Sequence, residues 1–344
     1  MPKHHVVSID FDGCYCAEIP VALSGFLEKN ENFIDFLIKN TIKDYDGVTI
    51  MVGSNRQSLG LDGLNGTMKR FGSCYKPLHL LSEHLEVNFD GLLLSDIYLG
   101  KAPGETIKTF FATLEQLGLQ DKILNLNDFS LLSENEILKP FYALSSRLFG
   151  DHDKINILYA QMHKLASDHP DAEIVFDFVD DQYVILEDIQ QFFELYPALI
   201  PNTITLRLFQ YGKDVFQPMA ADAVTEEGAL AADYGITGTG EIDGEYQETV
   251  KAMGEIAGEM QGNPRYKSGF HMAQCITPER LAKHCRPESP KAEAASSAVH
   301  KVPCSEHGFF APTTTPTPCP EPSAADSALA ARTESSSPNG SGVH

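Results

Sequence analysis

Apolar residues fall along this chain in two rhythms. Five short runs, at 6–10, 48–53, 122–126, 173–179 and 203–209, are nearly continuously apolar and are bounded by polar or turn residues. Runs of that length between turn signals predict buried strands. Between them the spacing becomes helical. Ile155, Leu158, Met162 and Leu165 recur at intervals of 3, 4 and 3, and Ile185, Ile189, Phe192 and Tyr196 at 4, 3 and 4. Each set marks one face of an amphipathic helix. Strands alternating with helices of this length predict an α/β fold, a doubly wound and mainly parallel sheet with helices on both faces. Ligands of such sheets sit outside the carboxyl ends of the strands, so the residues that end strands are the ones to inspect.

Elsewhere the alternation loosens. The stretch from about 59 to 150 is longer than one crossover requires; it holds an expected extra strand at 92–99 and a turn-rich Gly100-Lys101-Ala102-Pro103-Gly104. Part of it reads as an inserted subdomain on the substrate side of a core spanning 1–212. Residues 213–285 read as an acidic, mostly helical extension, interrupted by Gly238-Thr239-Gly240. From 286 to 344 the chain is rich in Pro, Ser, Thr and Ala with few large apolar residues, a composition that predicts a disordered tail.

Charge and cysteine content narrow the classes of function. The formal net charge is −22, which repels nucleic acid and anionic membrane surfaces, so no nucleic-acid partner is expected. Between 214 and 262 eleven acids face one base, Lys251. That density predicts a solvated face or, as the sharper reading, a docking surface for a basic protein partner. No apolar run is long enough for a transmembrane segment, and the Met-Pro-Lys-His-His start lacks the features of a secretory signal. The seven cysteines are odd in number and lack zinc-like spacing, which fits reduced thiols in a cytoplasmic protein. His4 and His5 precede the first run and are expected to face solvent.

The candidate chemistry lies where strands end. Ile9-Asp10-Phe11-Asp12-Gly13 follows the first run directly; a turn at Gly13 lets two carboxylates converge on one point. Carboxylate oxygens are hard ligands suited to Mg²⁺, which screens a phosphate that the acids would otherwise repel. An aspartate so placed can attack phosphorus and form an aspartyl-phosphate. The second run ends in Ser54-Asn55, whose hydroxyl and backbone N–H groups can hold phosphate oxygens. The fourth run ends in Asp180-Asp181. Lys154 stands at the start of the preceding helix, where a fixed positive charge can neutralise nucleophile and phosphoryl group together. Asp96 and Asp177 are further acids that could face the site or simply end or sit within strands. Tyr15 and Cys16 are placed to line its entrance.

These four pieces, in this order, resemble the haloacid dehalogenase superfamily of phosphohydrolases. The likeness rests on Asp10-Phe11-Asp12-Gly13, Ser54, Lys154 and Asp180-Asp181 and covers residues 6–211, leaving the last third unexplained. It implies a Rossmann-like core and Mg²⁺-dependent hydrolysis of a phosphomonoester, with a small molecule, a phosphoprotein or a phosphoinositide as substrate. Asp10 would be the nucleophile and a metal ligand. Asp12 would protonate the leaving oxygen, activate water and offer its carbonyl to the metal. Ser54, Lys154, Asn55 and Gly13 would surround the phosphoryl group. Asp180 would bind Mg²⁺ directly and Asp181 through water. The acidic pair lacks the commoner Gly-Asp start, which leaves open which of the two touches metal. Lys139-Pro140 has the Lys-Pro look often seen in the family, so Lys139 competes with Lys154, which is preferred because it opens an amphipathic helix. A fainter likeness, carried by Ser54-Asn55-Arg56-Gln57-Ser58, Gly72-Ser73-Cys74 and Leu94-Ser95-Asp96-Ile97-Tyr98, is to phosphatase-like proteins exported by Legionella and related intracellular bacteria, and the short polar C-terminus would suit such export into a host cell. The alternative to an enzyme is a catalytically weak scaffold of the same shape that binds a partner through the insertion or the acidic extension.

Overall fold

The run Glu-Ile-Val-Phe-Asp-Phe-Val-Asp at Glu173–Asp180 is built of β-branched and aromatic residues, and it lies near the middle of the sheet with both faces covered. The structure, a computed structural model, describes residues 1–39, 44–55, 57, 74–118, 154–212, 215–219, 234–261 and 275–285. Parallel strands β1 (Lys3–Ile9), β2 (Gly47–Val52), β3 (Asn88–Asp90), β4 (Glu173–Asp180) and β5 (Ile204–Gly212) stand in the order β3-β2-β1-β4-β5. Two short antiparallel strands, β6 (Val215–Pro218) and β7 (Ile236–Thr237), share the outer edge of β5. The result is the mixed, mostly parallel α/β sheet that the alternation predicts.

Period-two alternation sorts the strand side chains into two cores. Val6, Met51, Phe176, Phe178, Leu206 and Leu208 point to one face; Val7, Ile9, Ile50, Val52, Val179 and Phe209 point to the other. Helices α1 (Gly25–Lys29), α2 (Glu31–Leu37), α3 (Tyr75–Leu85) and α5 (Glu105–Gln116) cover the second face. On the first lie α4 (Leu94–Leu99), α6 (Ile155–Asp168), α7 (Tyr183–Leu195), α8 (Tyr246–Gln261) and α9 (Pro278–Cys285). Helix α6 is buried from Ile155 to His163, so its expected apolar face is widened by neighbours on several sides, α8 among them.

Several expectations need correction. Residues 92–99 form no strand. The Asp96 carboxylate accepts the backbone N–H groups of Leu93 (2.9 Å), Gly104 (2.9 Å) and Thr106 (2.9 Å), which starts α4, and Gly100 in the left-handed region ends it. Residues 75–90, within the stretch read as an insertion, make a helix and a strand that join the central sheet beside β2. The extension after 212 begins as strands, because the free edge of β5 takes β6 and β7; it becomes helical at α8. His4 and His5 do not face solvent. They lie within β1, a central strand, and are 7% and 0% exposed. The strand expected at 122–126, Lys139 and the tail at 286–344 lie outside the described residues. Among the described residues no helix is long and apolar enough to cross a membrane.

Candidate active site

Strand order reverses direction between β1 and β4: β2 and β3 lie on one side of β1, β4 and β5 on the other. The crevice at that switch point is the usual ligand site of an open α/β sheet. Asp10 and Asp180 stand there. Asp10 is held by its own N–H donating to Val179 O (2.8 Å) across the two strands. The chain then folds into a tight turn: Tyr15 N–H donates to Asp10 O (3.3 Å), Cys16 N–H to Phe11 O (2.7 Å) and Gly13 N–H to Cys16 O (3.3 Å). Gly13 has φ +78°, and a Cβ there would collide with the Asp181 carboxylate. Position 13 therefore admits only glycine while the second acid of the pair keeps its place.

Lys154 reaches the same point from the opposite layer. It caps the start of α6 in the left-handed region (φ 57°), an uncommon conformation for a residue with a side chain. Its Nζ lies 2.7 Å from Asp10 Oδ1 and 2.5 Å from Asp180 Oδ2, and 5.6 Å from the Phe178 ring centroid. Asp180 Oδ1 accepts the Gln182 N–H (2.8 Å), fixing the turn into α7. Asp10, Lys154 and Asp180 are all buried, at 4%, 3% and 0% exposure. Burial pushes the Asp10 carboxyl up to about 7, with Asp180 adding to the rise and Lys154 opposing it. For Lys154 burial acts downward, but the Asp10 and Asp180 charges outweigh it and hold the ammonium above its ordinary value. Burial, then Asp180, raises Asp181 as well.

The site thus carries more negative than positive charge. Asp10, Asp180 and Asp181 can each bring an oxygen within 4.8 Å of the others, with one lysine between two of them. The buried Asp181 Oδ1 has no hydrogen-bond partner. A hard divalent cation fits this set: all-oxygen ligands, surplus negative charge and an orphaned carboxylate oxygen.

The remaining expected residues are arranged around that centre. Asp12 is exposed and bridges Cys16 through its backbone; its charge bears on both Asp10 and Asp181. Ser54, buried, and Asn55, half-buried, follow β2 on the flank of β1, where Gly53 N–H donates to Ile9 O (2.9 Å). Tyr15 and Cys16 are both buried in the turn, and Tyr15 borders the adjoining cavity. A cavity of about 290 Å³ lined by Cys14, Tyr15, Glu18, Lys29, Asn30 and Tyr211, with Ala17, adjoins the turn. Asp96 belongs to the α4 cap, and Asp177 pairs with His5 and Arg207 lower in the sheet.

Sequence reasoning missed Ser8 and Gln161, whose side chains join β1 to α6. The available signal was the interval from Lys154 to Gln161, seven residues or two helical turns, which puts both on one face of α6. Comparison with protein-family models, curated proteins and solved structures finds no match to this chain.

Proposed function

We propose that the protein is a Mg²⁺-dependent phosphomonoester hydrolase of the haloacid dehalogenase type, acting through an aspartyl-phosphate on Asp10. The observation that carries this reading is the Lys154 ammonium set between Asp10 and Asp180 at the switch point of the sheet, with the orphaned Asp181 oxygen beside it. One positive side chain among three acids leaves room for a cation and for a phosphoryl group that the cation and lysine together make welcome. Asp10, Asp180 and Asp181 would hold Mg²⁺, which supplies neutralisation of the phosphoryl charge.

The chain's own residues divide the reaction between them. Asp10, backed by its bond to Val179, presents one carboxylate oxygen to phosphorus, and the bond from phosphorus to the leaving oxygen breaks as the new one forms. Asp12, more exposed and two residues after Asp10 in the same turn, gives a proton to the leaving oxygen. In the second half the same carboxylate takes a proton from water as the water oxygen attacks phosphorus, freeing Asp10 and inorganic phosphate. Lys154 holds the phosphoryl oxygens near Asp10, and Ser54 with Asn55 approaches them from β2. The cavity beside the turn gives the alcohol portion of the substrate a place to sit.

The test is phosphate release from an aryl phosphate, a phosphotyrosine peptide, a phosphoinositide and a sugar phosphate. Wild type and Asp10→Asn are compared, each with Mg²⁺ and with EDTA. Metal-dependent release lost in the variant is expected. A folded wild type that releases phosphate from none of them would sink the reading and favour the scaffold.

A further inference from the structure

The Lys154 ammonium sits 2.7 Å from Asp10 Oδ1 and 2.5 Å from Asp180 Oδ2, contacts that a small shift would break, yet α6 packs on the sheet through Leu158, Met162 and Leu165. Apolar contact is non-directional and leaves a helix free to slide or roll slightly. Directional bonds remove that freedom. Gln161 supplies them, two turns along α6 from Lys154 and 1% exposed. Its Oε1 accepts the Ser8 hydroxyl (2.7 Å) and its Nε2 donates to Val52 O (2.9 Å). Ser8 lies two residues before Asp10 on β1, and Val52 lies two before Ser54 at the end of β2. One amide therefore ties together the three elements that carry the nucleophile, the lysine and the phosphate-side serine.

A second buried glutamine extends the link. Gln57 Nε2 donates to Val52 O (3.2 Å) and to Ser54 O (2.6 Å), while its Oε1 accepts the Leu94 N–H (2.9 Å). The Val52 carbonyl is thus shared by both glutamines, and the turn bearing Ser54 is tied at Val52 O and at Ser54 O.

We infer that Gln161 is a positioning residue: through Ser8 and Val52 it sets the height and roll of α6 and so the place of Lys154 over Asp10. The inference rests on the phosphohydrolase reading for its kinetic consequence only; the placement of Lys154 is independent of any reaction. A misplacement of about 1 Å in such a site costs on the order of 100-fold in rate.

The experiment uses Gln161→Met, close in volume but without either bond, together with Ser8→Ala and the double variant, all in the full chain. Three quantities are read: kcat and KM on the best phosphomonoester, thermal unfolding, and the ammonium ¹H–¹⁵N signal of Lys154, assigned with Lys154→Arg. Gln161→Met is expected to lose about 10- to 100-fold in kcat with KM within about 3-fold, and to shift or broaden the Lys154 signal. Ser8→Ala should lose about 3- to 10-fold, and the double variant no more than Gln161→Met alone, because both act on one link. A folded Gln161→Met with wild-type kcat and an unmoved Lys154 signal overturns the inference. If Gln161→Met does not fold, Ser8→Ala decides in the same way. If wild type proves to have no turnover, the phosphohydrolase reading falls while the Lys154 signal still tests the brace.

Discussion

Strands β1 and β4 bring buried ionisable groups together at two levels, His5 with Asp177 low in the sheet and Asp10 with Asp180 at its carboxyl end, and the two levels are built on opposite principles. Below, the Asp177 carboxylate is saturated. Its Oδ1 accepts Arg207 Nε (2.6 Å), and its Oδ2 takes His5 Nε2 (2.7 Å) and Arg207 Nη2 (2.8 Å). Burial would raise that carboxyl, but His5 and Arg207 outweigh it and hold it below the ordinary carboxylate range. Above, Asp10 and Asp180 share one lysine, Asp181 keeps a buried oxygen unpaired, and Asp10 is pushed up to about 7. A buried carboxylate met on both oxygens by cationic partners is a structural device; an acid cluster with surplus charge has the pattern common at functional sites.

The contrast breaks most sharply on Asp10→Asn. Removing an acid from the surplus cluster should leave the melting temperature level or raise it, while phosphate release falls by about 10⁴-fold or more, the order seen when a covalent nucleophile is lost. Next in size is Arg207→Met, which leaves a buried carboxylate short of its main partner. Urea unfolding should show a loss of about 3–5 kcal/mol. Equal stability losses from both substitutions would erase the distinction between the two levels.

Acid separates a third group from both. His4 is lowered to about 4 by burial, then by His169, stacked on it at 4.5 Å, and by His5. A histidine whose folded pKa lies below its unfolded value binds its proton more readily unfolded. Its stabilisation is therefore whole above about pH 6.5, declines as pH falls toward 4, and changes no further below that. The decline should come to about 2 kcal/mol, somewhat less than the full shift because the ring retains slight solvent contact. Denaturant titrations of wild type and His4→Gln from pH 7 to 4 should differ by that slope. The smallest effect sharpens the surplus cluster itself. Mg²⁺ at ten times its dissociation constant should stabilise wild type by about 1.4 kcal/mol, and Asp181→Asn should reduce that gain while Arg207→Met leaves it intact, as measured by thermal shift.

What the chain revealed unaided follows from length and from position. The long central strands were legible because both faces are buried and the residues read as continuous apolar runs. β3, β6 and β7 have three, four and two residues, too few for any period to register. The Leu92-Leu93-Leu94 run looked like a strand, although Asp96 and Gly100 mark a helix start and stop around it. Site residues that end or begin an element, Asp10, Asp180 and Lys154, stood out because polarity changes abruptly there. Ser8, Gln161 and Asp177 lie inside apolar surroundings, and only the fold shows which of them meet.

The sheet's outline bears on how the molecule behaves in company. The aromatic and β-branched residues of Glu173–Asp180 favour zipping onto a copy of the same segment, against the repulsion of its three acids. Among the described residues it is flanked by β1 and β5, and the outermost strands are the three-residue β3 and the short antiparallel β6 and β7. Fraying at either border leaves that sticky segment covered, so clumping should begin only once several strands have peeled away.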